Sequence, residues 1–241
     1  MDEAAPAAQQ RSQRVPLSRM RRAITAAMNL SAQVPQFTLD RTIALAAAAA
    51  LRSDLRAEGL AISWEDILAA ASARALREHP GVNASFDGDA ILRHEDINVG
   101  LATALEEGLV SPAILNADRR SLREIAQARR ALRERAAAGG LHGSELYGAT
   151  FTLSNLGPYG IERFRALVIP PQAAILASGR VLGPDDASRI NVSLSCDHRV
   201  IDGAPAAQFL ATVCDLIEQP DWLRQIAGQG PDRPAADASG G

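Results

Sequence analysis

The 241-residue chain contains no lysine, and all 25 of its Lys+Arg positions are arginine. A lysine amine is needed for a P-loop, for a pyridoxal phosphate Schiff base and for the covalent attachment of lipoyl or biotin. This chain therefore carries no covalently bound lipoyl group. Its 28 acidic residues give a formal net charge of −3, which provides no reason to expect a nucleic-acid partner.

Cysteine and long apolar runs are also scarce. Two cysteines are too few for a disulfide framework and too far apart for a zinc knuckle, so we expect reduced thiols and no metal. No run approaches the roughly 20 apolar residues of a membrane span, and the first residues do not resemble a signal peptide. We therefore expect a cytoplasmic protein without a membrane partner.

Composition changes near both ends of the chain. Residues 1–14 and 228–241 combine small residues, proline, glutamine and charge without periodicity, which predicts a flexible N-terminal segment and a disordered C-terminal tail. Between them there is neither an internal repeat nor a long linker. The sequence therefore predicts one domain over residues 15–227.

Apolar spacing and capping signals predict helices first and a strand-rich second half. The first helix is expected from Leu17 to Met28, and an alanine-rich helix is expected to end near Gly59. Two more helices should follow the capping boxes begun by Ser63 and Ser121, and a last one should cover 204–218. Strands are expected at 37–45, 82–86, 89–93, 96–105, 108–114, 149–154, 163–169, 173–181 and 189–197, most joined directly to another strand. This order favours an α+β sandwich over a doubly wound nucleotide-binding fold.

The last predicted strand ends in a polar cluster, Asp-His-Arg-Val-Ile-Asp-Gly, over residues 197–203. His198 follows a strand with one apolar face, and Asp202 comes four residues later. Such a histidine can serve as a general base at a cleft or subunit surface, where Gly203 permits close backbone approach. The same pattern also fits a surface histidine followed by an N-cap aspartate.

This cluster resembles the His-x-x-x-Asp-Gly signature of the dihydrolipoamide acyltransferase catalytic domain of 2-oxo acid dehydrogenase complexes. The similarity extends over roughly residues 15–223. Further family segments follow in the same order: VPLSRMRR at 15–22, ALREHPGVNAS at 75–85, GLVSPAI at 108–114, TFTLSNLG at 150–157 and PPQAAIL at 170–176. The resemblance implies a chloramphenicol acetyltransferase-like, two-layer α+β sandwich of a mixed β-sheet with helices on one side.

The resemblance also implies roles for individual residues. His198 would be the general base, Ser154 would donate a hydrogen bond to the tetrahedral oxyanion, and Asp202 would fix the local geometry. The expected substrate-binding residues are Asn155, Gly157 and Gly203, although the first two also suit a simple turn after the strand. In this family the histidine and the serine face each other across a trimer interface. We therefore expect a CoA thioester as substrate and a homotrimer with sites at its subunit interfaces.

Three functions are compatible with this assignment. We expect a free-standing acyltransferase that moves an acyl group, such as acetyl, from acyl-CoA to a small-molecule hydroxyl or thiol, as in tetronate pathways. This expectation rests on the start at Met1 and on the lack of a swinging-arm domain. The alternative is the catalytic core of a 2-oxo acid dehydrogenase, with dihydrolipoamide on a lipoyl domain as acceptor. An inactive scaffold trimer is least compatible, because the motif residues are intact.

Other residues allow more than one interpretation. Cys196 lies two residues before His198 and could form a Cys–His dyad, but its strand face is apolar, which favours an inert thiol. The remaining histidines, His79, His94 and His142, have no metal-ligand spacing and are expected to face solvent. The arginines of one helical region could receive CoA phosphates or form an ordinary solvated face: Arg119, Arg120, Arg123, Arg129, Arg130, Arg133 and Arg135.

Two positions depart from the family pattern. The family usually has a basic residue where Ala27 stands and a histidine where Gln36 follows Pro35. These departures concern the contacts near the acceptor entrance. In addition, a polar tail follows Leu223 where the family has an apolar knob, so assembly of trimers into a larger shell is left open.

Overall fold

The computed structural model describes residues 12–227, and the predicted terminal tails lie outside these residues apart from 12–14. The helices are α1 (Arg19–Ser31), α2 (Ala46–Ala57), α3 (Trp64–Glu78), α4 (Leu122–Ala137), α5 (Gly143–Tyr147), α6 (Gly203–Glu218) and α7 (Asp221–Gln225). The strands are β1 (Gln36–Ala44), β2 (Ala84–Asp87), β3 (Ala90–Arg93), β4 (Val99–Leu101), β5 (Thr103–Leu105), β6 (Gly108–Val110), β7 (Ala113–Ile114), β8 (Phe151–Asn155), β9 (Ala174–Leu182) and β10 (Arg189–Asp197).

Six strands form the main sheet in the order β1-β10-β9-β8-β4-β7. Strand β10 pairs antiparallel with both β1 and β9, and β4 pairs antiparallel with β7. Strand β8, in contrast, is parallel to both of its neighbours, β4 and β9. Two separate hairpins, β2–β3 and β5–β6, complete the strands. The sheet is therefore mixed, as expected for the predicted α+β class.

The two faces of the sheet differ in chemistry because side chains alternate along each strand. On one face Leu153, Leu176 and Leu194 are buried in the core, and Phe151 of β8 contacts Phe209 of α6 with ring centroids 5.6 Å apart. The opposite face carries polar side chains, including Ser154, Ser193, Asp40, Ser195 and Thr38, in neighbouring register positions. Helix packing thus covers the apolar face of the sheet.

Both predicted capping boxes are present at the helix starts. The Ser63 hydroxyl accepts from the Asp66 backbone N–H at 3.2 Å, and the Asp66 carboxylate accepts from the Ser63 N–H at 2.7 Å. Ser121 and Glu124 repeat these contacts at the start of α4. Each box satisfies backbone donors that the first helical turn leaves unpaired, so the local sequence defines where α3 and α4 begin.

The arginine-rich helix α4 forms ion pairs within its own chain. Arg129 donates to both carboxylate oxygens of Asp66, at 2.6 and 3.1 Å, and only 12% of its side chain is exposed. Arg133 pairs with the buried Glu65 of α3. Burial raises the pKa of Glu65, whereas the charges of Arg133 and then Arg129 oppose that rise. These contacts give Arg129 and Arg133 a structural role in joining α4 to α3.

One predicted strand is absent. Residues 163–169 belong to a segment without regular secondary structure, residues 161–171, that we call the strap. Two arginines of the strap donate hydrogen bonds to side chains of β1 and β10. Arg165 donates to Asp40 at 2.6 Å, and Arg163 donates to Asn191 at 3.1 Å. Side-chain hydrogen bonds of this kind do not form the backbone ladder of a strand.

Other boundaries also differ from the predictions. The strands expected at 96–105 and 108–114 are each interrupted, the second at Ser111 and Pro112, where proline lacks an N–H donor. The connection from β8 to β9 is a parallel crossover and not a hairpin. Within residues 12–227 no helix is both long enough and apolar enough to cross a membrane.

Candidate functional site

His198 lies in a tight turn directly after β10. Its backbone N–H donates to the Pro35 carbonyl at 2.8 Å, and the Asp197 carbonyl accepts from Val200 and Ile201 at 3.0 and 2.9 Å. The imidazole packs against Phe37, with ring centroids 4.8 Å apart, and its side chain is 53% exposed. The turn therefore fixes the backbone of His198 and leaves its ring accessible.

Asp202 stands beside this imidazole at the N-cap of α6. Its Oδ1 is 3.8 Å from His198 Nδ1, which is longer than a hydrogen bond, and its side chain is 83% exposed. It makes no side-chain capping hydrogen bond either. Gly203 begins α6, and a Cβ added there would meet nothing within 4 Å. Asp202 therefore lies close to the imidazole in this chain without a hydrogen bond to it.

A second acidic residue, Asp197, is bound tightly to Arg199 across His198. Arg199 donates to both Asp197 oxygens at 2.7–3.2 Å, and its backbone N–H donates to Asp197 Oδ1 at 2.9 Å. The Asp197 side chain is 4% exposed, and its hydrogen bond raises the pKa of the Arg199 guanidinium. Sequence reasoning missed this pair. Its signal was the opposite charges on either side of the motif histidine.

Gln36 connects three elements next to the histidine turn. Its amide nitrogen donates to the Ser31 carbonyl and hydroxyl at 2.9 and 3.1 Å, and its amide oxygen accepts from the Val168 N–H at 2.9 Å. The Ser31 hydroxyl donates in turn to the Val168 carbonyl at 2.6 Å. Gln36 thus ties the strap to the end of α1, one residue after Pro35.

Ser154 is partly buried near the end of β8, on the polar face of the sheet. The Asn155 side chain accepts from the Gly157 N–H at 2.8 Å and so forms the turn that follows. A Cβ on Gly157 would lie 2.7 Å from the Gly179 carbonyl oxygen of β9, so this close approach requires glycine. Asn155 and Gly157 therefore hold the strand end that presents Ser154.

The structure does not bring Ser154 and His198 together within one chain. Ser154 and Ser193 both pair with Ala177, so two strand spacings, about 10 Å, separate them across the sheet. His198 is five residues beyond Ser193, or about 17 Å along β10. The Cα positions of the two residues are therefore about 20 Å apart, too far for both side chains to act on one substrate carbonyl.

Cys196 does not have the environment of a nucleophile. It is fully buried on the apolar face, and burial, assisted by the charge of Asp197, raises the pKa of its thiol to about 12. A nucleophilic cysteine needs the thiolate, which this environment disfavours. The structure thus supports the inert-thiol interpretation over the Cys–His dyad.

Two of the remaining histidines differ from the prediction that they face solvent. His79 Nε2 is 2.8 Å from the Thr212 hydroxyl, and His94 Nε2 is 2.6 Å from the Ser85 hydroxyl, and both rings are partly buried. A side-chain partner from another part of the chain holds each ring, which the sequence pattern did not reveal. His142 is exposed at the start of α5. No group of three potential metal ligands occurs within the described range 12–227.

Comparison with solved structures defines the class of fold. The chain resembles a chloramphenicol acetyltransferase with a TM-score of 0.53 at 16% identity, over 80% of this chain and 94% of that chain. The dihydrolipoamide acetyltransferase of Azotobacter vinelandii is more similar, with a TM-score of 0.81 at 28% identity, over 93% of this chain and all of that chain. The predicted fold class is confirmed.

The chain belongs to the family described as 2-oxoacid dehydrogenases acyltransferase (catalytic domain), whose model matches residues 9–224. A curated relative from Dictyostelium discoideum is 39% identical over 219 residues, and is named the dihydrolipoyllysine-residue acetyltransferase component of the mitochondrial pyruvate dehydrogenase complex. The match covers 86% of this chain and 34% of that relative, so the chain spans about a third of its length. The predicted family of acyltransferases is confirmed.

These relatives correct the expected function. We expected a free-standing acyltransferase with a small-molecule acceptor, but the similar curated proteins are dihydrolipoyllysine-residue acetyltransferase components of multienzyme systems. The expectation was wrong because it depended on where the chain starts, and that position carries no information about the acceptor.

Proposed function

We propose that this chain is the acyltransferase core of a 2-oxo acid dehydrogenase, moving an acyl group between CoA and a dihydrolipoyl group. The observation that carries the proposal is the His198 turn, in which the backbone is locked and the imidazole is accessible. In the Azotobacter vinelandii enzyme a serine, a histidine and an asparagine have been studied for their role in catalysis, the latter two four residues apart. His198 and Asp202 have the same spacing, with aspartate replacing asparagine.

In the proposed reaction, neutral His198 takes the proton from the attacking thiol. The resulting thiolate forms a bond to the thioester carbonyl carbon, and Ser154 donates a hydrogen bond to the oxyanion. Collapse of this intermediate breaks the original C–S bond, and the imidazolium returns the proton to the departing thiolate. Proton transfer from a thiol of pKa about 8.5 to an imidazole of pKa about 6.5 is uphill by roughly 2.7 kcal/mol. This cost is small enough for a positioned general base to overcome.

The proposed site lies between copies of the chain. Since His198 and Ser154 are about 20 Å apart in one copy, the histidine of one subunit must work with the serine of a neighbour. A closed homotrimer provides three identical interfaces of this type. The acyl-bearing lipoyl group is attached outside these 241 residues, since the chain has no lysine to carry it.

Acetyl transfer from acetyl-CoA to free dihydrolipoamide tests the proposal. Replacing the general base in His198→Ala should lower the rate by about 10²–10⁴-fold. His142→Ala is the matched control, because His142 is exposed and outside the site. Equal rates for wild type and His198→Ala would overturn the proposal.

A further inference from the structure

The guanidinium of Arg199 has a second contact, on the β2–β3 hairpin. Its central carbon lies 4.2 Å from the centroid of the Phe86 ring, within the range of a cation–π interaction. The guanidinium is therefore packed against Phe86, while its nitrogens donate to Asp197. Arg199 connects the hairpin to the turn that contains His198.

The hairpin itself is firmly attached to the sheet. Ser85 bonds to His94 across the hairpin and forms an antiparallel bridge with Gln172. The backbone N–H of Ala173 donates to the Ala84 carbonyl at 3.0 Å, and the Ala173 carbonyl accepts from the Asp197 N–H at 2.8 Å. Phe86 is therefore a fixed support and not the tip of a mobile loop.

Asp197 and Arg199 close a ring around the backbone of His198. Three hydrogen bonds from the Arg199 side chain and one from its N–H reach the Asp197 carboxylate. These bonds restrain the backbone dihedrals between the two residues and so restrain the direction in which the imidazole leaves the chain. No comparable hydrogen bond holds the ring through Asp202, whose nearest oxygen is 3.8 Å away.

We propose that Phe86, Arg199 and Asp197 form a positioning unit for His198, in which Phe86 and Arg199 act on the rate without touching substrate. This inference rests on the proposed function, since it assigns His198 as the base. A misplacement of about 1 Å can cost about 10²-fold in rate. The positioning unit therefore governs kcat and leaves the affinity for CoA unchanged.

The kinetic test uses two matched pairs of variants, assayed with acetyl-CoA and dihydrolipoamide. Arg199→Gln should lower kcat by about 10²-fold, and Arg199→Lys, which keeps the charge and one hydrogen bond, should recover part of the loss. Phe86→Leu removes the aromatic face and should lower kcat by about fivefold, whereas Phe86→Tyr keeps the face and should match wild type. KM for acetyl-CoA should be unchanged in all four variants.

A double-mutant cycle separates positioning from general stability. If Phe86 acts through Arg199, Phe86→Leu should have no further effect on kcat in the Arg199→Gln background. Melting temperature and sedimentation show whether Arg199→Gln folds. If it does not fold, the kcat of Phe86→Leu decides the test. A raised KM with unchanged kcat would make Arg199 a substrate-binding residue and overturn the inference, as would additive effects in the cycle.

The two proposals fail in different ways. If His198→Ala is as active as wild type, the proposed function is wrong. If His198→Ala is inactive but the Arg199 and Phe86 variants keep the wild-type kcat, only the positioning unit is wrong.

Discussion

Mixing two inactive variants of this chain should restore activity. One variant, His198→Ala, removes the proposed general base, and the other, Ser154→Ala, removes the proposed oxyanion donor. The Cα positions of the two residues are about 20 Å apart within a chain, so in the proposed mechanism each active site takes its histidine and its serine from different subunits. Mixed oligomers consequently contain some interfaces in which both residues are intact.

The expected recovery follows from counting interfaces. If equal amounts of the two variants assemble at random, half of the interfaces receive an intact His198 and half of those also receive an intact Ser154. About one quarter of the interfaces are then wild type, so activity should reach about 25% of the wild-type value in a closed trimer. Each variant alone should retain about 1% or less, given typical losses for a base or an oxyanion donor.

Unfolding and joint refolding of the two variants, followed by the dihydrolipoamide assay, measures this recovery. A second mixture, of wild type with the double variant His198→Ala/Ser154→Ala, gives an independent value. If the sites lie at interfaces, this second mixture should have about 25% of full activity per total subunit. If each site lies within one chain, it should have about 50%. The interface assignment is refuted if the two single variants together are no more active than their average.

Three further predictions concern the framework around the site. Arg129→Met leaves the buried Asp66 carboxylate without its charged partner and should destabilise the fold by about 3 kcal/mol, seen as a fall in melting temperature of about 6–12 °C. Cys196 should resist a thiol reagent at pH 8 until the protein is unfolded, because burial raises its pKa to about 12. Arg165→Gln should lower the melting temperature at pH 7, with a loss that vanishes as the pH falls.

The pH dependence of the last prediction has a definite sign. The hydrogen bond from Arg165 holds the pKa of Asp40 below its usual value. A lowered carboxyl pKa stabilises the folded state above the unfolded pKa of about 3.9, and that stabilisation disappears as the pH falls through the folded-state value. A melting-temperature difference that stays constant from pH 7 down to pH 2 contradicts this linkage.

Controls for the other two predictions are available in the same chain. Arg130 neighbours Arg129 on α4 but makes only a long, exposed contact of 3.4 Å, so Arg130→Met should change the melting temperature little. An equal loss for both variants argues against the buried ion pair as the cause. For the thiols, modification of Cys196 in the folded protein at the rate of a free cysteine rules out its burial.

Local signals in the sequence predicted much of the fold. The capping boxes of Ser63 and Ser121 depend on residues three positions apart, so their helix starts could be placed from sequence alone. The alternation in β10 predicted correctly which face carries Cys196. The strap was mistaken for a strand because its residues bond to side chains such as Asp40 and Gln36, and these partners are distant in sequence.

The candidate site was predicted only in part, because the residues that support it are distant from it in sequence. The family motif located His198 and Asp202, but the support of the histidine comes from other regions of the chain. Pro35 accepts its N–H, Phe37 packs on its ring, and Phe86 holds Arg199. No local pattern relates these positions to residue 198, and only the pairing of β1 with β10 and the attachment of the β2–β3 hairpin bring them together.

The position of β1 in the sheet also has a consequence for how the protein is made. Strand β1 pairs along its whole length with β10, from Gln36 with Asp197 to Ala44 with Arg189, across about 150 residues of chain. At a synthesis rate of about 5–20 residues per second, β1 waits about 8–30 s on the ribosome for its partner strand. During that interval a nascent chain exposes an unpaired edge, and the Pro35–His198 contact does not yet exist. The histidine turn is therefore assembled by the same late, long-range step that completes the sheet.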